Sequence, residues 1–172
     1  MLKWIEQIGQ LCFSELMHVY EESNMAIGRE RYHYLALSDQ LREAEQDFYQ
    51  YLCSVFFRQA GACYAVWVEN NQYTSAVRLE PFADGLLLCG LETAPDLRRK
   101  GYGQALISAL QVYLSDRFTG KLYSHVSKSN FSSLALHEKC GFRVIKDYAV
   151  HVDASVFHDS VTLLYEFEKT ES

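Results

Sequence analysis

The chain has 172 residues, 49% of them hydrophobic and 22% charged, with a formal net charge of −6. That length supports one domain with a core of its own. The acidic balance argues against non-specific binding to nucleic acid or anionic membrane, and no apolar run approaches the ~20 residues that span a bilayer.

Five cysteines, Cys12, Cys53, Cys63, Cys89 and Cys140, are widely spaced in apolar surroundings and form no Cys-x-x-Cys pair. They read as reduced, buried thiols, not as a disulfide frame or a zinc site. The first residues, Met1-Leu2-Lys3-Trp4-Ile5-Glu6-Gln7, lack the apolar core of a signal peptide. A cytoplasmic location is the expectation.

In chain order, residues 10–22 carry apolar side chains at helical spacing: Cys12, Leu16, Val19 and Tyr20, with Phe13 and Met17 beside them. Residues 24–37 are mixed and include the aromatic cluster Tyr32-His33-Tyr34. Ser38 is placed to cap a second helix. Leu41, Ala44, Phe48, Tyr51, Leu52 and Val55 form its apolar stripe, and Gly61 lies just past its end. The pattern then changes period. Residues 63–68 are aromatic and β-branched, Asn70-Asn71 signals a turn, and residues 73–79 alternate with Tyr73, Ser75, Val77 and Leu79 on one face. Asp84-Gly85 makes a further turn before an apolar run of strand length, Leu86-Leu87-Leu88-Cys89-Gly90-Leu91-Glu92-Thr93.

Pro95 ends that strand, because proline cannot donate to a sheet ladder. Arg98-Arg99-Lys100 follow, then Gly101-Tyr102-Gly103, and a helical pattern begins at Gln104 and runs to about Leu114. A strand, a basic loop and a helix start make an anion cradle. The first N–H groups of a helix are unpaired and carry partial positive charge. Glycines also let a ligand approach the backbone. The pattern reads as a pyrophosphate site. There is no Gly-Lys-Ser/Thr of a P-loop. A dinucleotide fingerprint would need a small residue where Leu106 stands and an acidic residue about 20 positions on.

Residues 121–126 form a strand that follows a strand–helix unit and so pairs in parallel with the central one. Ser129 or Asn130 caps a helix ending at Lys139, and Gly141 stops it. Residues 142–151 and 161–167 read as two closing strands. The loop between them holds Asp153, His158 and Asp159, which with His151 fit no metal template, so no metal is expected. The whole is one α+β domain, a mixed central sheet flanked by helices on both faces, with a helical N-terminal part (1–60) and a core (61–172).

Two stretches carry a family resemblance. Arg98-x-x-Gly101-x-Gly103, with Pro95 upstream, resembles the acetyl-CoA loop of the GNAT family of N-acetyltransferases. Asn130-Phe131-Ser132-Ser133-Leu134-Ala135-Leu136-His137-Glu138-Lys139-Cys140-Gly141-Phe142 is similar to that family's second signature. The resemblance covers roughly residues 64–167. It implies the GNAT acyl-CoA N-acyltransferase fold, with the central strand and the next one diverging to admit the pantetheine arm. It also implies transfer of an acetyl group from acetyl-CoA to a primary amine by direct attack on the thioester.

Its cofactor residues would be Leu91, Thr93, Arg98, Arg99, Lys100, Gly101, Tyr102, Gly103, Gln104, Asn130 and Ser133. A backbone N–H near Glu92 or Thr93 would hold the thioester oxygen. His137 stands where the family usually has tyrosine, the residue that returns a proton to the leaving thiolate; as imidazolium it could do the same. Glu92 is a candidate base, with Glu80, Asp84 and His125 as alternatives. Tyr32, His33 and Tyr34 are candidates for an acceptor wall. The partner would be a small-molecule or peptide amine, with the protein a monomer or homodimer. The competing reading is a non-catalytic acyl-CoA-binding sensor or partner subunit.

Overall fold

The architecture follows from strands whose two faces are both apolar. In the computed structural model, which describes residues 1–118, 120–150 and 154–167, the elements run β1 (Leu2–Ile5), α1 (Phe13–Val19), α2 (Glu21–Arg31), α3 (Leu37–Ser54), β2 (Cys63–Glu69), β3 (Gln72–Phe82), β4 (Gly85–Thr93), α4 (Tyr102–Ser115), β5 (Lys121–Ser127), α5 (Phe131–Lys139), β6 (Arg143–Lys146), β7 (Ala149–Val150), β8 (Val156–Phe157) and β9 (Ser160–Glu166). Seven strands form one sheet in the order β1-β2-β3-β4-β5-β9-β6. All pairings in it are antiparallel except β4 with β5. β7 and β8 form a separate two-stranded ribbon.

Successive strand residues face opposite ways. Along β2, Cys63 and Ala65 join a core with Leu106, Ile107 and Leu110 of α4. Tyr64 and Val66 join a second core with Leu16 and Val19 of α1 and Leu52 of α3. The sheet is therefore covered by α4 on one face and by the N-terminal helices on the other, an α+β arrangement.

Four local readings change. Residues 10–22 are not one helix: α1 and α2 meet at Tyr20, whose φ of −97° and ψ of 15° break the run. The mixed stretch 24–37 is helical up to Arg31. Ser38 lies inside α3, and the N-cap is Ala36, whose side chain has no acceptor to offer. The strand read over 142–151 is cut into β6 and β7, its last residue lying outside the described residues, as does Asp153. The N-terminus adds a strand, β1, to the sheet edge beyond β2.

Candidate active site

β4 and β5 pair only from Gly85↔Lys121 to Leu88↔Ser124. Beyond that they separate, and a cleft of about 1030 Å³ opens between Gly90–Thr93 on one side and His125–Ser127 on the other. The cause is a bulge in β4. The β3–β4 register slips between Ala76 and Arg78, and Gly90 takes a φ of 59°, a conformation that a Cβ would resist. The Tyr20 hydroxyl donates to the Gly90 carbonyl at 2.6 Å and holds the bulge from the helical side. The β4 amides past Leu88 thus have no ladder partner on the β5 side, and buried backbone polar groups need one.

The cleft continues to the start of α4. Gly101, at φ 84°, is the N-cap, and no side chain caps this end. Arg99 has a φ of 60°. The N–H groups of the first turn of α4 are left open beside the cleft, where Gly101, Tyr102, Gly103 and Gln104 line it. Arg98 lines it too, but its side chain is tied back. Nε donates to the Thr93 carbonyl at 3.2 Å, and Nη1 pairs with Glu22 at 2.5 Å.

On the opposite wall Asn130 caps α5. Its Oδ1 accepts from the Ser133 N–H and the Ser132 hydroxyl, each at 3.1 Å. One turn on, His137 is buried, its ring edge-on to Phe142 at 5.1 Å. Nδ1 lies 2.8 Å from the Ser133 carbonyl. A carbonyl only accepts, so Nδ1 carries the proton and Nε2 is the bare acceptor. That Nε2 is buried without a partner. Burial holds the His137 pKa below the usual imidazole value, against the pull of the Ser133 carbonyl.

Glu92 also lines the cleft. Burial raises its pKa; a hydrogen bond donated by Ser23 Oγ and the charge of Arg98 act in the other direction. Ser23 comes from α2 and also lines the cleft.

The family model described as the acetyltransferase (GNAT) family matches residues 13–142. The chain belongs to this family. As a GNAT protein it is an acetyl-CoA-dependent N-acetyltransferase. Solved structures of the same fold include an aminoglycoside 6′-acetyltransferase type Ii, with a TM-score of 0.63 and 11% identity over 98% of this chain and 97% of that one. A ribosomal-protein-alanine N-acetyltransferase from Brucella melitensis gives 0.61 and 17%, over 96% and 99%. A streptothricin acetyltransferase assigned in Bacillus anthracis, solved with acetyl coenzyme A, gives 0.53 and 16%, over 68% and 70%. A search of curated protein sequences found no match.

The GNAT cleft brings together Leu91, Glu92, Thr93, Arg98, Arg99, Gly101, Tyr102, Gly103, Gln104, Asn130, Ser133 and His137. Lys100 is exposed and is not among the lining residues. Of the other candidate bases, His125 lines the cleft. Asp84 lies at the closed end of β4, paired with Lys121 at 2.9 Å and accepting from Tyr123. Glu80 accepts from the Tyr51 hydroxyl at 3.5 Å. Tyr32 donates to Asp47, Tyr34 is 71% exposed, and neither they nor His33 line the cleft. Among the described residues no three His, Cys, Asp or Glu side chains group as metal ligands, and no helix is long and apolar enough to cross a membrane. Ser23, Tyr20 and Arg78 escape a reading of the sequence, since each reaches the bulge from a different element.

Proposed function

We propose that the cleft holds acetyl-CoA, with the diphosphate on the first turn of α4 and the pantetheine arm between β4 and β5, and that Glu92 accepts a proton from an amine entering over Gly90. The observation that carries this reading is the continuity of the split sheet with an uncapped helix start. Split strands supply unpaired amides for an extended arm, and the helix supplies N–H groups for an anion. The coenzyme brings the activated acetyl group as a thioester.

Gly101, Tyr102, Gly103 and Gln104 would contribute mainly backbone donors, with charge from Arg99. Arg98, held by Glu22, instead ties the loop to α2. Leu91 and Thr93 would offer main-chain groups to the arm, and an amide near Glu92 would stabilise the thioester oxygen as it gains charge. Asn130 and Ser133 shape the α5 wall. Glu92, its pKa raised, suits a base working near neutral pH. His137 takes no acid role in this scheme. Its one N–H is committed to Ser133 and its pKa is lowered, so it has no proton to give at neutral pH. The thiolate that leaves, with an ordinary thiol pKa of about 8.5, takes its proton from water in the open cleft.

Calorimetry with acetyl-CoA, and CoA release with a panel of amines, test the scheme. Saturable binding with amine-dependent release is expected. Absence of binding overturns it. Binding without release from any amine would instead support a sensor.

A further inference from the structure

Arg78 is a cation walled in by aromatic rings. Its guanidinium carbon lies 5.3 Å from the ring centre of Tyr51 and 5.9 Å from that of Phe48, and the hydroxyls of Tyr20 and Tyr64 favour its charged form. No carboxylate among the described residues is within ion-pair distance of it, and its Nε is buried with no hydrogen-bond partner. Burying such a group is costly unless something answers it. Arg78 is half-buried and does not itself line the cleft, but its fork lies against Gly90, which does. A Cβ placed on Gly90 would stand 3.5 Å from Nη2 and 3.7 Å from the Tyr20 ring, and the Gly90 backbone is exposed in the cleft. Arg78 and Glu92 therefore both lie beside the bulge, and the charge of Arg78 acts to lower the Glu92 pKa.

We infer that Arg78 receives a carboxylate of the acceptor, so that the amine acetylated belongs to a small amino-carboxylate, an amino acid or a close analogue. This rests on the acetyl-transfer reading above and narrows its substrate. A guanidinium fork matches a planar carboxylate through two parallel N–H···O bonds. The carboxylate would satisfy the lone cation while the amine lies toward Glu92. Aromatic walls exclude water and strengthen that pairing.

The test compares kcat/KM for amino acids with that for their carboxamides and for the matching amines lacking the carboxylate, with O-phosphoethanolamine included. The carboxylates are expected to be at least tenfold better. Arg78→Met should abolish that preference mainly through KM, and Arg78→Lys should restore part of it. A purely structural Arg78 would leave the preference intact in both variants. In parallel, the wild-type CoA complex is titrated with N-acetyl amino acids and with their carboxamides. The same tenfold preference is expected, whether or not the variants fold. Equal handling of carboxylates and carboxamides, a preference for the phosphate, or turnover of none of the amino acids would overturn the inference. Acetyl-CoA calorimetry without amine reports separately on the reading beneath it. Binding intact with no carboxylate preference sinks only the substrate class.

Discussion

Two titratable side chains in the cleft are displaced from their ordinary values by the same cause, with opposite consequences. Burial disfavours charge. It therefore raises the pKa of Glu92 and lowers that of His137. Glu92 is useful as a base only when ionised, so kcat/KM should fall as pH drops through its raised pKa. Glu92→Gln should lower the rate by about 10²-fold or more and flatten that acid limb, whereas His137→Gln should leave the limb in place and cost far less. The same limb lost in the His137 variant would transfer the role to the imidazole. Stability gives an independent sign. A carboxyl whose folded pKa is raised stabilises the fold below its unfolded value and loses that contribution as pH climbs through the folded one. The Gln variant should thus melt higher than wild type at pH 8 and show no such gain at pH 4. His137 as a residue is legible from its place in the second signature, but its state is not. Only the packing shows that the Ser133 carbonyl accepts the hydrogen bond of its N–H and that its ring meets Phe142 edge to face.

At the scale of elements, β1 is the clearest departure from the sequence pattern. Four residues are too short for alternation to speak, yet the Trp4 ring lies tilted against Tyr113 of α4 at 4.9 Å while Ile5, with no exposed surface, joins the core on the other face. The terminal ammonium donates to the Val68 carbonyl at 2.7 Å and extends the pairing. Ile5→Ala should cost about 2–5 kcal/mol, read as a lower midpoint in urea at unchanged slope. A loss below 1 kcal/mol would mean that the edge strand is dispensable. The break between α1 and α2 has a similar origin. Nothing in the periodicity marks Tyr20, which is placed by its hydroxyl bond to the Gly90 carbonyl and its edge contact with Phe48 at 5.5 Å. By contrast α5 and β2 through β5 are readable, because each combines a sustained period with its own stop signal (Asn70-Asn71, Asp84-Gly85, Pro95, Asn130, Gly141), and α4 is readable from its glycine-led start.

Across the whole molecule, the sheet is continuous at the Gly85 end of β4 and divided at the Thr93 end. A ligand lying in the gap would join the β1–β4 half to the β5–β9–β6 half. Acetyl-CoA at 100 times its Kd should therefore add about 2.7 kcal/mol and raise Tm by roughly 5–10 °C. Differential scanning fluorimetry measures it, and an unchanged Tm at that excess would show that the coenzyme does not engage the native fold.

The sequence by itself determined the loop and helix start proposed to hold the diphosphate, but not the split between β4 and β5. A strand, a proline stop, glycines and a helix start follow one another within about twenty residues, so local chemistry specifies the cradle. Only the tertiary structure shows what surrounds Glu92, a residue the sequence already offers as a candidate base. Ser23, Arg78 and Glu92 lie on three elements, and a bulge at one glycine sets their spacing. No short-range pattern encodes where separate chain segments meet; packing both faces of the sheet does.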